Sequence, residues 1–435
     1  MMKYSPIKTV LFFLGLIVLG TIFLSLPVAR NHKEFSFVTN LFTSVSAVCV
    51  TGCSIVNVCE YYSLFGQTII LFLVQLGGVG YMFVSIVATL LFGKIALKDR
   101  YIMQDLFDVS SFNKLKRFIL KASLFVLGIE FVGSVVLTFI FLMDFPLLKS
   151  IYLGIFYSVM AFCNAGFSFF DDSLVRFANS PLVLYTMAIL IFSGGLGFFV
   201  MVDIYDTYKE RRLHLSTNTK VVLFMSVIIT FFAFLLFWFS EVLLGTHEIF
   251  YSINNAFFQA VSTRTSGFYS VPINLFDGFT KLLIILLMLI GAAPGSTTGG
   301  IKITTVALIF AFLRSVLKGD DVILFQKQIP EDLIKKSLAI FVIFLSLIVV
   351  FSAIFIFIDG DCLNPFDIVF DVVSAFATVG LSLNIVANLS ILGKILIILA
   401  MMLGRIGILT VLIVMLAPVY KKRNIKHPEA RILVG

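Results

Sequence analysis

SAVCVTGCS, at Ser46–Ser54, decides the fold because it returns three more times in outline. The later copies read MAFCNAGFS (Met160–Ser168), VSTRTSGFY (Val261–Tyr269) and SAFATVGLS (Ser374–Ser382). Each sets small or hydroxyl-bearing residues ahead of one glycine. Those glycines are Gly52, Gly166, Gly267 and Gly380, so successive copies are separated by 114, 101 and 113 residues. A short helical run leads into each copy: Phe35–Val48, Ser150–Phe162, Glu248–Ser262 and Pro365–Ala377. None of these reaches the roughly 20 apolar residues that a spanning helix needs.

The flanking segments do reach it. Eight spans are expected, at Ile7–Leu26, Thr68–Phe92, Phe118–Met143, Leu182–Val202, Val221–Leu244, Leu282–Phe312, Leu338–Ile358 and Ile391–Ala417. Composition agrees, with 60% hydrophobic residues, 13% charged residues and 50 phenylalanines. A soluble domain carries about 25% charged residues. The first run is long for a signal peptide and no cleavage pattern follows it, so it is read as a span. The net charge of +8 is a topology signal. Lys and Arg concentrate at both termini and in the loops Lys94–Lys121, Lys209–Lys220 and Arg314–Lys336, which places those parts in the cytoplasm of a cytoplasmic-membrane protein. The four short helices then enter from the outer side.

Irregular backbone at membrane depth is tolerated only when it is buried in protein or lines a water-filled path. Four re-entrant loops around one axis meet that condition, and their carbonyl oxygens can replace the hydration shell of a cation. Glycine reaches backbone angles that residues with a Cβ reach poorly. The C-terminal end of each short helix adds a negative dipole end. The predicted fold is an all-α integral membrane protein of four fused helix–pore loop–helix repeats around a central ion pore. The repeats are placed at residues 1–97, 98–210, 211–320 and 321–420, with a cytoplasmic tail at 421–435. The expected ion-binding residues are Val50, Thr51 and Gly52; Asn164, Ala165 and Gly166; Thr265, Ser266 and Gly267; and Thr378, Val379 and Gly380.

Leu282–Phe312 is too long for one straight span. Its middle, Gly291–Gly300, contains glycines, Pro294 and three hydroxyl residues. Proline removes a donor and glycine weakens a helix by about 1 kcal/mol, so an unwound intramembrane loop is expected there. Arg405 lies in the last span, where a cation costs about 2.5–3.5 kcal/mol unless it finds polar partners. Lys302 follows the loop. Arg264 is expected to brace the third pore loop, and Glu130 to pair with another repeat. Asp171, Asp172, Asp359, Asp361, Asp367 and Asp371 bias the outer face negative.

Other classes fit poorly. The histidines His32, His214, His247 and His427 fall in loops or termini, leaving no catalytic cluster in the spans, so the chain is not expected to be an enzyme. The five cysteines have no metal-ligand spacing. Solute carriers usually pair broken helices between inverted halves. Neither Gly78–Val79–Gly80 nor Gly195–Leu196–Gly197 continues into a dinucleotide fingerprint.

These residues resemble the Trk/Ktr/HKT superfamily of potassium transporters, whose subunits look like four fused potassium-channel pore units. Beside the four pore loops, the resemblance rests on QLGGVGYM (Gln75–Met82), FSGGLGFF (Phe192–Phe199), LIGAAPGSTTGGIKITT (Leu289–Thr305) and MLGRIGILT (Met402–Thr410). The first and second of these motifs alone would signify only close helix packing. The chain as given opens on the first repeat, which is closest to the bacterial Ktr membrane subunit. Only Thr378–Val379–Gly380 keeps the channel-type TVG, so fewer complete ion sites are expected than in a channel. The resemblance implies potassium uptake, with Gly52 favouring potassium and an HKT-like sodium-permeable or sodium-coupled transporter as the alternative. It implies a gate formed by Gly291, Ala292, Pro294, Gly295, Ser296, Thr297, Thr298, Gly299, Gly300, Lys302 and Arg405. It also implies a homodimer in membrane lipid and a cytosolic nucleotide-binding ring as regulatory partner. The chain itself is expected to hold no cofactor, with potassium as substrate and sodium as a candidate coupling ion.

Overall fold

A computed structural model describes residues 5–31, 35–92, 112–244, 249–360, 363–383 and 385–407. Four times the chain forms an outer helix, a short pore helix, an irregular loop and an inner helix. The outer helices are Ser5–Ser25, Phe112–Phe141, Thr217–Leu244 and Glu331–Asp359. The pore helices are Phe37–Cys49, Leu147–Cys163, Ile249–Ser262 and Pro365–Ala377. Local chemistry sets several starts. Ser36 accepts from the Thr39 amide, Asn364 from Phe366 and Ser390 from Gly393, while Pro181 and Pro365 occupy first helical turns.

Three helices are long and apolar enough to cross a membrane among the described residues: Arg117–Phe141, Thr217–Ser240 and Glu331–Asp359. Their outward faces carry Leu124 (71% exposed), Phe239 (63%) and Phe357 (90%). Such a surface suits hydrocarbon, whereas large exposed apolar patches are rare on soluble monomers. The buried faces and the pore helices form one aromatic-rich core, including Phe42, Phe156, Tyr157, Phe258 and Phe376. Among the described residues a small hairpin pairs Ile323–Leu324 with Lys327–Gln328. Its two turn residues, Phe325 and Gln326, both have positive φ, as tight hairpin turns require.

The inner helices differ from the expected straight spans. Leu64–Phe92 turns at Gly80, where φ is 81° and ψ 170°. Pro181–Leu196 and Phe198–Lys209 meet at Gly197 with a bend of 90°. The third inner helix divides into Gly278–Leu289 and Ile303–Lys318, and the fourth, Ile391–Ile406, ends at Gly407 with φ 89°. Only the third break was expected. Residues 408–417 of the last expected span, Asp361, and the tail 421–435 lie outside the described residues.

The same motif explains three of these turns. Gly77, Gly194 and Gly404 each precede a positive-φ glycine by three positions: Gly80, Gly197 and Gly407. A Cβ on the first glycine of each pair would stand 2.1 Å from Val48 O, 1.8 Å from Phe162 O and 2.0 Å from Phe376 O, respectively. Each of those carbonyls is the penultimate one of the pore helix in the same repeat. The inner helix therefore touches pore-helix backbone directly in these three repeats, and bends at Gly80 and Gly197 in the first two. Gly77→Ala and Gly194→Ala should lower the melting temperature of the detergent-purified protein by several degrees or prevent its accumulation. Gly128→Ala, where nothing lies within 4 Å of the added carbon, should leave stability unchanged or slightly raised. Equal stability of all three variants would contradict this packing.

Candidate functional site: a ring of four loops above a buried loop

Three pore helices end in the same way. Val50, Asn164 and Thr378 adopt the left-handed conformation. The next amide then reaches back five residues: Thr51 to Ser46 O at 2.8 Å, Ala165 to Met160 O at 2.9 Å and Val379 to Ser374 O at 2.9 Å. These bonds satisfy helix-end carbonyls that would otherwise be stranded away from water. For β-branched Val50 and Thr378 the left-handed angles are unusual, costing about 1–3 kcal/mol each, a kind of strain that clusters at functional sites. The third loop departs from the pattern: Ser266 N bonds Ser262 O at 2.8 Å through a continued turn over Thr263–Ser266.

The four loops close a ring in chain order. A Cβ at Gly52 would meet Ala165 O at 2.2 Å, one at Gly166 would meet Ser266 O at 2.6 Å, one at Gly267 would meet Val379 O at 2.1 Å, and one at Gly380 would return to Thr51 O at 2.0 Å. All four glycines have positive φ. The twelve residues expected to bind ions thus come together, each glycine lying against the carbonyl just ahead of the neighbouring repeat's glycine. All four glycines also line an open cavity of about 320 Å³, together with Ser168 and Asp171.

Gly291–Gly300 lies on the opposite side of the ring, between the two halves of the third inner helix. Its backbone is not left unpaired. Gly291 N donates to Ile301 O at 2.9 Å and Ile303 N to Ala292 O at 3.0 Å. The bend of the second inner helix supplies further partners, with Ala293 N donating to Gly195 O at 3.1 Å and Phe198 N to Gly295 O at 3.0 Å. A Cβ at Gly197 would reach Pro294 O at 2.9 Å. Within the loop, the Ser296 and Thr298 hydroxyls are 3.0 Å apart.

Two cations hold successive carbonyls of this loop. Lys302 Nζ donates to Thr298 O at 2.7 Å. Arg405 Nη1 donates to Thr297 O, and Nη2 donates to Gly77 O and, at 3.0 Å, to Gly78 O. Arg405 therefore joins the inner ends of repeats four, three and one. Its contact with the loop follows from the need to give a membrane-depth guanidinium polar partners. The contact with repeat one was not expected. In the aligned G-x-x-G motifs, Arg405 occupies the position of Gly78 and Gly195, so it sits where its neighbours present backbone.

Side chains also connect loop and ring. Asn164 Nδ2 donates to Thr297 Oγ1 at 2.9 Å, Thr265 Oγ1 donates to Asn164 Oδ1 at 3.0 Å, and Gly299 N donates to Thr378 Oγ1 at 2.9 Å. Sequence reasoning missed these links, because Asn164 and Thr378 were singled out for their carbonyls. It also missed Gly80, Gly197 and Gly407, whose signal was the shared G-x-x-G spacing.

Several other charged residues singled out in the sequence have partners of their own. Glu130 accepts from Gln75 Nε2 at 3.0 Å, pairing repeat two with repeat one. Arg264 is buried, with Nη1 donating to Ser226 O and Thr230 Oγ1, both at 3.3 Å. Asp371 does not face the outer surface. It is buried and accepts from Ser382 Oγ at 2.7 Å and Leu383 N at 3.1 Å, so it braces the fourth loop. Asp172 is paired with Arg176 at 2.9 Å. Among the described residues no group of three or more His, Cys, Asp or Glu could hold a metal ion.

The profile of the TrkH cation transport protein family matches residues 2–424. Ktr system potassium uptake protein B of Vibrio alginolyticus is 34% identical over 99% of this chain and 95% of its own length. The potassium/sodium uptake protein NtpJ of Enterococcus hirae is 33% identical over 100% and 98%. Ktr system potassium uptake protein B of Bacillus subtilis is 31% identical over 100% and 97%. The crystal structure of the potassium transporter TrkH from Vibrio parahaemolyticus superposes with a TM-score of 0.75 at 17% identity, covering 97% of this chain and 86% of that one. That likeness shows the fold. The chain belongs to the TrkH family of cation transport proteins, integral membrane transporters rather than enzymes.

Proposed function

We propose that this member of the family is the pore-forming subunit of a Ktr-like potassium-uptake system in the cytoplasmic membrane, with both termini in the cytoplasm. Potassium is the substrate, and the chain needs no cofactor of its own. The observation that carries the reading is the closure of four glycine loops into one ring, where Thr51, Ala165, Ser266 and Val379 carbonyls stand beside neighbouring glycines. Carbonyl oxygens in such a ring can exchange for water around a dehydrated cation. Residues Gly291–Gly300, with Lys302 and Arg405, form the gate. Two fixed cations beside the path repel a third, and the loop fills space below the ring. The relatives named as Ktr system proteins support a multi-subunit assembly. In our reading it is a homodimer controlled by a cytosolic nucleotide-binding ring.

Sodium coupling or sodium permeation is a second reading. It is favoured by the relative named for both potassium and sodium and by the third loop, which lacks the left-handed cap of the others. Expression in a bacterial strain lacking potassium uptake tests both. Restored growth at limiting potassium, little affected by sodium, is the expected result. No rescue by well-expressed protein, with or without a cytosolic Ktr subunit, would refute potassium uptake. Rescue that strictly requires sodium would select the coupled reading.

A further inference from the structure

Thr297 is fully buried and bonded on two sides. Its carbonyl accepts from Arg405, while its hydroxyl accepts from Asn164 Nδ2 at 2.9 Å. The same hydroxyl lies 3.3 Å from Phe162 O and 3.4 Å from Gly194 O, either of which can take its proton. Asn164 Nδ2 also faces Phe162 O at 3.3 Å, and Asn164 Oδ1 receives Thr265 Oγ1. A flipped amide would set Oδ1 against the Phe162 carbonyl and Nδ2 against the Thr265 hydroxyl, so the donors and acceptors fix one orientation. Two positions along, Gly299 N donates to Thr378 Oγ1 at 2.9 Å. A three-residue segment, Thr297–Gly299, is thus bonded to the second and fourth pore loops directly and to the third through Asn164.

We infer that Thr297 and Gly299 are selectivity-determining positioning residues, and that the buried loop is divided between two tasks. Thr297–Gly299 buttresses the ring from its inner side, holding Asn164 and Thr378 in left-handed conformations that are unfavourable for Thr378 in particular. The preceding stretch, Ala292–Ser296, is bonded through Ala293 and Gly295 to the bend of the second inner helix rather than to the ring, and in this reading it supplies the movable part. Small changes in this buttress alter the spacing of carbonyls, because a close-packed interior transmits displacement. The role rests on the reading of the ring as a cation filter.

The test is uptake by the full chain in proteoliposomes, measured separately for potassium and sodium, first for the wild type and then for variants. Wild-type protein that carries no potassium would overturn the functional reading itself, before any variant is compared. With a selective wild type, Thr297→Val removes the hydroxyl at nearly constant shape. Discrimination between potassium and sodium should then fall about fivefold, the change that one neutral hydrogen bond typically carries. Thr297→Ser restores the hydroxyl and should restore selectivity. A Thr297→Val protein that transports faster with an unchanged ion ratio would make Thr297 a gate residue only and overturn the inference. Should Thr297→Val fail to accumulate, Thr297→Ala and Thr297→Ser decide. Loss of selectivity in the alanine variant alone supports the buttress, and equal selectivity in both overturns it.

Discussion

Gly380→Ser is expected to reduce discrimination between potassium and sodium by roughly tenfold or more, which corresponds to about 1.4 kcal/mol of differential binding. Two physical effects act together. Serine at φ 90° occupies a backbone region that L side chains rarely adopt. Its Cβ would also stand 2.0 Å from Thr51 O, well inside any van der Waals contact, so a loop must shift. The obstruction is main chain and cannot rotate away. The same reasoning ranks the other sites. Gly267 and Gly52, at 2.1 and 2.2 Å, should be nearly as sensitive, and Gly166, at 2.6 Å, the most tolerant. Uptake in the presence of competing sodium, scored for the four serine variants at equal expression, checks both the loss and its order. Unchanged selectivity in all four would remove the ring from the account.

Arg405→Ala should act in the opposite sense on rate, raising potassium flux several-fold and weakening its dependence on a cytosolic partner. The substitution removes three donated bonds, to Thr297, Gly77 and Gly78, and a charge that repels the permeating ion. The cost is stability, since those carbonyls lose their cation at membrane depth. Deleting Pro294–Thr298 should also raise flux. Because the deletion removes Thr297 as well, the faster transport should be less selective, whereas Arg405→Ala keeps the Thr297 hydroxyl and should keep selectivity. The double change should be less than additive in rate, since both alterations remove one barrier. Intact regulation and wild-type flux in both single variants would make the pair structural.

The parts of this architecture that were legible in the sequence were those with a local signature. Four glycine stretches recur between apolar spans, and Pro294 with its glycines cannot sit in a continuous helix. Arg405 advertises itself because a charge is costly among Met401, Leu403 and Ile406. The bends at Gly80 and Gly197 were not legible in the same way. Glycines spaced through an apolar run are compatible with a straight, closely packed helix, and the bend accompanies a close approach of the pore helix to Gly77 or Gly194 that depends on tertiary packing. The reach of Arg405 to repeat one depends on ring closure, a contact between residues more than 300 positions apart. Asn164 shows a further limit. Its identity suited a left-handed cap, but nothing local announced that its amide would join Thr265 to Thr297. Asp371 read as a surface charge because its burial depends on Ser382 and Leu383 folding back over it.

The most direct test of the ring as a cation site is a crystal structure of the protein grown in rubidium, with anomalous scattering recorded at the rubidium edge. A peak is expected on the ring axis, close to the carbonyls of Thr51, Ala165, Ser266 and Val379, and it should be weaker in Gly380→Ser crystals. Rubidium bound only elsewhere, in protein that still transports it, would contradict the account.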